Sequence, residues 1–171
     1  TLTDASGLAQ VTFTLGTVSG ASSVEATVDG LNGSPTLFTM TAIPDTVVSL
    51  NITAQPDTVV SGAVASPIVV EARDQYGNLV TWFTGDVTVT VNDAPAGNFA
   101  AGTTTRAAVA GVATFDDLVF SNTGSWFFDF TVAGVTATGT SVEVIAGAPA
   151  SVTIASGDGQ SGVVTLPLPL P

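Results

Sequence analysis

The residues of this chain that could do chemistry are mostly carboxylates. Asp116 and Asp117 form its one adjacent acidic pair. Two carboxylates hydrolyse a glycoside only when they face each other across a cleft with well-separated pKa values. Neighbours along a strand point to opposite faces, so solvated acids at a bulge or turn are expected here, not a catalytic clasp. Calcium is the other chemistry open to oxygen ligands. Its candidates are Asp74 with Asn78 in the stretch DQYGN, Asp116 with Asp117, and Asp45 or Asp57 near a joint in the chain. None has the dense D-x-D-x-D-G spacing of a dedicated calcium loop, and a solvated acidic surface is the simpler expectation. No catalytic residue, cofactor-binding residue or metal ligand is therefore assigned, and no enzymatic activity is expected. The aromatic pairs Trp82-Phe83 and Trp126-Phe127 could stack on sugar rings. Trp126 falls in an inward register and belongs to the core. Trp82-Phe83 follows the DQYGN turn, where one ring must point outward, and contact with neighbouring protein is favoured over carbohydrate. Asn51-Ile52-Thr53 and Asn32-Gly33-Ser34 match the short glycosylation acceptor pattern.

The missing residue types exclude more than the present ones suggest. The 171 residues contain no Cys, His or Lys, and only Arg73 and Arg106 are basic. Disulfides and thiolate metal sites are ruled out, as are an imidazole triad, a Schiff base and a Lys–Asn isopeptide crosslink. The net charge of −12 repels nucleic acid and anionic lipid, so neither is expected as a partner. Apolar runs are short and interrupted, with nothing long enough to cross a bilayer as a helix, and membrane insertion is not expected. Nor does the N-terminus show a targeting pattern. With 45% hydrophobic residues and only 9% charged, against roughly 25% charged in an average domain, the composition is that of a folded chain and not a disordered one.

Thr (27) and Val (25) dominate the chain, and β-branched side chains suit a pleated, half-buried surface better than a helix. An all-β fold follows. The strand signals also repeat. GLAQVTF (7–13) resembles GVATF (111–115), VEATVDGL (24–31) resembles FDFTVAGV (128–135), and LFTMTA (37–42) resembles SVEVIA (141–146). Gly7 to Gly111, Gly30 to Gly134 and Ala42 to Ala146 are each 104 residues apart, while SLNIT (49–53) and SVTIA (151–155) are 102 apart. Four segments in one order at nearly one spacing describe tandem modules. Residues 1–44 read as the C-terminal part of one module, 45–146 as a complete module, and 147–171 as the start of the next.

Within 45–146 the strands should be short and alternating. Leu50, Ile52 and Ala54 share a face. Ile68, Val70 and Ala72 point inward, as do Val87, Val89 and Val91, then Trp126, Phe128, Phe130 and Val132, then Val142 and Val144. The run VATFDDLVF alternates poorly, and a bulge that lets Phe115 and Leu118 both point inward is the expected remedy. About seven such strands in about 100 residues match an immunoglobulin-like sandwich. The cut modules at either end should leave apolar faces or strand edges to be completed by a neighbour: SVTIA carries Val152 and Ile154 on one face, and the prolines of GVVTLPLPLP bar it from a central strand.

ARDQYGNLV, GVATF and TVAGVTATGTSVEV, together with TDASGLAQVTFTLG (3–16), resemble the bacterial Ig-like repeat domains of invasin/intimin type found along large surface and secreted proteins. The resemblance spans essentially the whole chain and is carried by turn glycines and strand periodicity. It implies tandem Ig-like β-sandwich modules in an extracellular or cell-surface fibre, stalk or adhesin shaft. The partners it implies are adjacent modules or other copies, with a surface glycan or protein as a further ligand. An adhesin module, or an accessory region of a large secreted enzyme, is the alternative.

Overall fold

The computed structural model describes residues 2–95, 98–156, 159 and 161. Its regular structure is entirely β. The strands are β1 (Gly20–Ala26), β2 (Thr36–Ala42), β3 (Ser49–Ala54), β4 (Thr58–Val60), β5 (Ile68–Arg73), β6 (Asp86–Asp93), β7 (Thr105–Ala107), β8 (Val112–Phe115), β9 (Gly124–Val132), β10 (Val135–Thr138) and β11 (Val142–Ile145). Among the described residues no helix is long and apolar enough to cross a membrane.

Strands β3 to β11 form two facing sheets, an immunoglobulin-like sandwich. One sheet has the order β3-β5-β8. The other runs β4-β11-β9-β6-β7, with β10 also paired to β9. The first strand of the sandwich divides between the sheets. Residues 49–54 pair antiparallel with β5, and after Gln55-Pro56-Asp57 residues 58–60 pair parallel with β11. Pro56 has no N–H to give a ladder, so the crossing falls where the chain loses least.

The inward faces are those that the alternation marks. Ile68, Val70, Ala72, Val87, Val89, Trp126, Phe128, Phe130, Val142 and Val144 are all buried. Phe120 stands edge-on to Trp126 at 5.2 Å between centroids, and Phe128 edge-on to Phe130 at 5.7 Å, the edge-to-face geometry that ring quadrupoles favour. The Trp126 indole N–H is satisfied by the Asn122 carbonyl at 2.9 Å.

Three expectations are corrected. Ala54 is exposed, because the β3–β5 register shifts between Ile52 and Ala54 and takes it off the inward face. Val91 is only half-buried, next to a similar shift in β6. Phe115 and Leu118 are both buried, yet not through a bulge. Strand β8 stops at Phe115, and irregular chain beyond it turns Leu118 inward.

The ladders also orient the sandwich. Ser49 lies opposite Arg73 and Glu71 opposite Val112, so the start of β3 and the end of β5 mark one pole, here called upstream. At the other, downstream pole, β11 ends beside the start of β9, Ser61 N–H bonds Ile145 O, and Gly62 N–H bonds Phe120 O. The chain enters the sandwich at one pole and leaves at the other.

Upstream of the sandwich, β1 and β2 form a separate antiparallel hairpin. Val24 pairs with Phe38 and Ser22 with Met40, so Val24, Phe38 and Met40 share a face, and Phe38 is 55% exposed. At the other end, residues 151–156 contain no strand, and Val152 and Ile154 are exposed. The expected tail 162–171 lies outside the described residues.

Candidate functional site

Of the side chains that the sequence offered for chemistry, Asp45, Asp74, Asn78 and Trp82 converge at the upstream pole, where they hold protein to protein. Strand β5 ends at Arg73, and the next five residues make a tight turn closed by Asp74 N–H to Asn78 O and Gly77 N–H to Asp74 O, both at 3.0 Å. Gly77 takes φ +81°, which glycine adopts without the penalty a Cβ brings. Asp74, only 3% exposed, is the single buried charged residue among those described. Its Oδ1 accepts from the backbone N–H groups of Tyr76 and Asn78 at 2.9 Å. Its Oδ2 accepts from the Asp45 N–H at 3.1 Å and the Asn78 side-chain amide at 2.9 Å. Desolvation pushes the Asp74 carboxyl up, but these four donors outweigh it and hold the group down at about 2.

Asn78 uses the rest of its amide to reach about sixty residues back. Its Nδ2 donates to Thr17 O at 2.8 Å, and its Oδ1 accepts from Ser19 N–H at 2.9 Å. Trp82 adds an indole N–H to Pro44 O at 3.0 Å. Gln75 donates to the Asp45 carboxylate at 3.1 Å, and that carboxylate also takes the Thr46 N–H. Residues 17–19 and 44–46 are thus fastened to one turn of the sandwich by side-chain hydrogen bonds.

As a calcium site this cluster is already occupied by protons. Asp45, Asp74 and Asn78 do come together, but their oxygens are turned onto N–H donors, and the amide Nδ2 of Asn78 lies against Asp74 where a cation would need an oxygen. Asp57 lies apart, exposed, in the turn between β3 and β4. Among the described residues no group of three or more acidic side chains could hold a metal ion.

Asp116 and Asp117 do not diverge as strand neighbours would, because both lie past the end of β8. The Arg106 guanidinium on β7 reaches Asp116 Oδ1 at 2.7 Å and Asp117 Oδ2 at 2.9 Å. Asp117 also accepts the backbone N–H and the hydroxyl of Thr103, at 2.9 and 2.8 Å. Those bonds from Thr103, with Arg106 behind them, keep its carboxyl below the usual range. Gly102 permits this closeness, since a Cβ there would lie 2.6 Å from Asp117 O. The pair is an internal brace for the β7–β8 connection.

Trp126 is fully buried, Phe83 packs against the core, and Phe127 is 38% exposed. Trp82 is half-exposed, with its polar edge spent on Pro44. Asn51 is exposed on β3, while Ser34 of the second acceptor pattern takes the Val28 N–H on its Oγ at 2.8 Å. An open groove of about 350 Å³ runs between β3 and β10, lined by Asn51, Thr53, Gln55, Thr138 and Thr140. Gln55 bridges it by donating to Thr140. No titratable group lines it.

Sequence reading did not anticipate the reach of Asn78 or the bond from Trp82 to Pro44. The available signal was that DQYGN carries more side-chain hydrogen-bonding capacity than a tight turn needs.

No protein-family model and no curated protein matches the chain. Among solved structures it is similar to a glycosyl hydrolase family 2 member from Bacteroides cellulosilyticus, with TM-score 0.48 and 15% identity over 74% of this chain and 17% of that one. It is also similar to surface layer protein SbsC, domains 1-6, with TM-score 0.46 and 20% identity over 77% of this chain and 17% of that one. A beta-glycosidase from Bacteroides vulgatus gives TM-score 0.45 and 12% identity, over 67% and 19%. The chain spans less than a fifth of the length of each of these.

Proposed function

We propose that the chain is a structural segment of an extracellular fibre or stalk, an array of Ig-like modules whose partners are the neighbouring modules, with no catalytic role. The observation that carries this reading is the joint at the upstream pole. A spacer must hold each unit at a set angle to the next, and here Asp74, Asn78 and Trp82 fix residues 17–19 and 44–46 against the sandwich. Entry and exit at opposite poles, as a string of modules requires, support the same reading.

The repeat gains support from backbone angles. Gly7 and Gly111 have φ +81° and +83°, Gly20 and Gly124 +134° and +121°, and Gly30 and Gly134 +77° and +86°, each pair 104 residues apart. The hairpin is not a full copy of its counterpart. Gly20 faces Ala42, whereas Gly124 faces Val144, a slip of two residues. An even slip leaves every side chain on its original face, so Val24, Phe38 and Met40 still share one face.

Immunogold labelling of intact cells with antibody to the chain tests the proposal. Label along extended surface material is expected; label confined to the cell interior sinks the reading. The groove between β3 and β10 favours a second reading, a binding module for a glycan or protein, and saturable glycan binding that is abolished by Asn51→Ala with Thr138→Ala would establish it.

A further inference from the structure

The upstream pole shows what an Asx turn of this sandwich grips, and the downstream pole presents the same target again. In the joint, Asn78 takes the carbonyl of Thr17 and the N–H of Ser19, one residue before Gly20 opens β1 with φ +134°. By the 104-residue repeat, Thr17 corresponds to Ser121, Ser19 to Thr123 and Gly20 to Gly124. Gly124 opens β9 with φ +121°. Ser121, Asn122 and Thr123 are all exposed and lie at the downstream pole, beside Ser61 and the end of β11. The Ser121 carbonyl already accepts the Ser61 hydroxyl, but a carbonyl has a second lone pair.

We propose that Ser121 O and Thr123 N–H form the docking site for a following Ig-like module, gripped by the Asn of that module's own Asp-x-x-Gly-Asn turn. This rests on the array reading. The occupant is set by chemistry seen at the other pole: a primary amide that donates to one carbonyl and accepts from the N–H two residues on. Of the side chains, only Asn and Gln carry an N–H donor and a C=O acceptor on the same carbon at neutral pH, and an Asn anchored by a buried Asp has little rotamer freedom left to lose on binding. Val144 faces Gly124 as Ala42 faces Gly20, so the chain passes Val144 at the place where β2 leads into Ile43-Pro44-Asp45. The linker and the gripped loop therefore stand in the same relation at both poles once the slip is counted, since Ser49 follows Ala42 by seven residues and Ser151 follows Val144 by seven.

The test is a longer chain in which residues 1–144 are followed directly by residues 43–171, so that Ile43 takes the place of Ile145 and Pro44-Asp45 stand as far from the gripped loop as at the upstream joint. Amide exchange is followed by NMR in this chain and in the 171-residue chain. Thr123 of the upstream copy should exchange about tenfold more slowly in the longer chain, the scale of one net hydrogen bond. Asn78→Ala in the downstream copy should restore the fast rate, and Asn78→Ala in the upstream copy should leave it slow while freeing Ser19. Unchanged exchange at Thr123, with the Phe128 and Val89 amides of both copies still protected, overturns the docking proposal and leaves the array reading standing. Loss of core protection in the downstream copy overturns both. Slow exchange that persists through Asn78→Ala in the downstream copy, or that grows with concentration in the 171-residue chain, overturns the assigned occupant.

Discussion

A buried aspartate surrounded by N–H donors is a stability element with a pH signature, and Asp74 is one. Its ordinary value is 3.8 and in the fold it sits at about 2. The depressed value means the stabilisation is fully present above about pH 4 and is lost as pH falls from about 4 toward 2. The joint should therefore loosen across that window, seen as faster exchange of the Ser19 and Asp45 amides and a shift in Trp82 emission. Asp74→Asn should flatten this pH dependence while weakening the joint at neutral pH, because a neutral amide accepts from fewer donors and brings two N–H groups of its own into the cluster. A joint equally firm at pH 2 and pH 7 would show that Asp74 does not hold it. Asn78→Ala should free residues 17–19 while leaving the melting of the sandwich within a few degrees, since two of the three lost bonds go to residues outside it and Asp74, which loses the third, keeps its three backbone donors.

At the scale of strands, the two parts of the chain should respond oppositely to the same kind of substitution. Phe128 is fully buried among Phe99, Phe120 and Phe130, so Phe128→Ala should cost about 3–5 kcal/mol in denaturant unfolding. Phe38, on the hairpin, is 55% exposed, and Phe38→Ala should change stability by no more than roughly 0.5 kcal/mol. Comparable losses from both would mean that the hairpin face is covered in solution. Gly111 joins the two levels. It has φ +83°, and a Cβ would meet Val80 O at 2.6 Å, so Gly111→Ala should destabilise by about 1–3 kcal/mol. Much of this architecture was legible in the sequence, because period-2 alternation is enforced by the core: every inward residue of 68–72 and 126–132 is buried. Where alternation failed, the cause was local. Ala54 and Val91 sit at register shifts, and strand periodicity cannot encode a shift whose origin lies in the neighbouring strand. The bracing of Asp116 and Asp117 by Arg106, and the grip of the Asn78 side chain on the backbone of residues 17–19, join groups from ten to about sixty residues apart. Only the assembled sheets reveal such pairings.

For the whole molecule, the two arginines and the exposed apolar residues set where proteases can enter. Trypsin has only Arg73 and Arg106 to cut after. Arg73 ends β5, the middle strand of its sheet, and is tied to Glu71 and Gly77 O. Exposing it to a protease requires opening close to global unfolding. Arg106 lies on β7, a three-residue edge strand held by Asp116 and Asp117, so a smaller local opening exposes it. Native chain should therefore be cut slowly by trypsin, first at Arg106, with Arg73 cleaved only near the unfolding transition. Chymotrypsin meets a different surface, because residues 2–44 expose Leu8, Phe13, Leu37 and Phe38, while the aromatic residues of the sandwich core are inaccessible. Its early cuts should fall before Pro44 and leave a resistant fragment carrying 45–146, and mass spectrometry of the limited digest reads this directly. Early chymotryptic cleavage at Phe115, Phe120 or Phe128 would mean that the sandwich does not stand as the stable unit. A hairpin cut as slowly as the sandwich would mean instead that its apolar face is covered, and that a neighbour completes it.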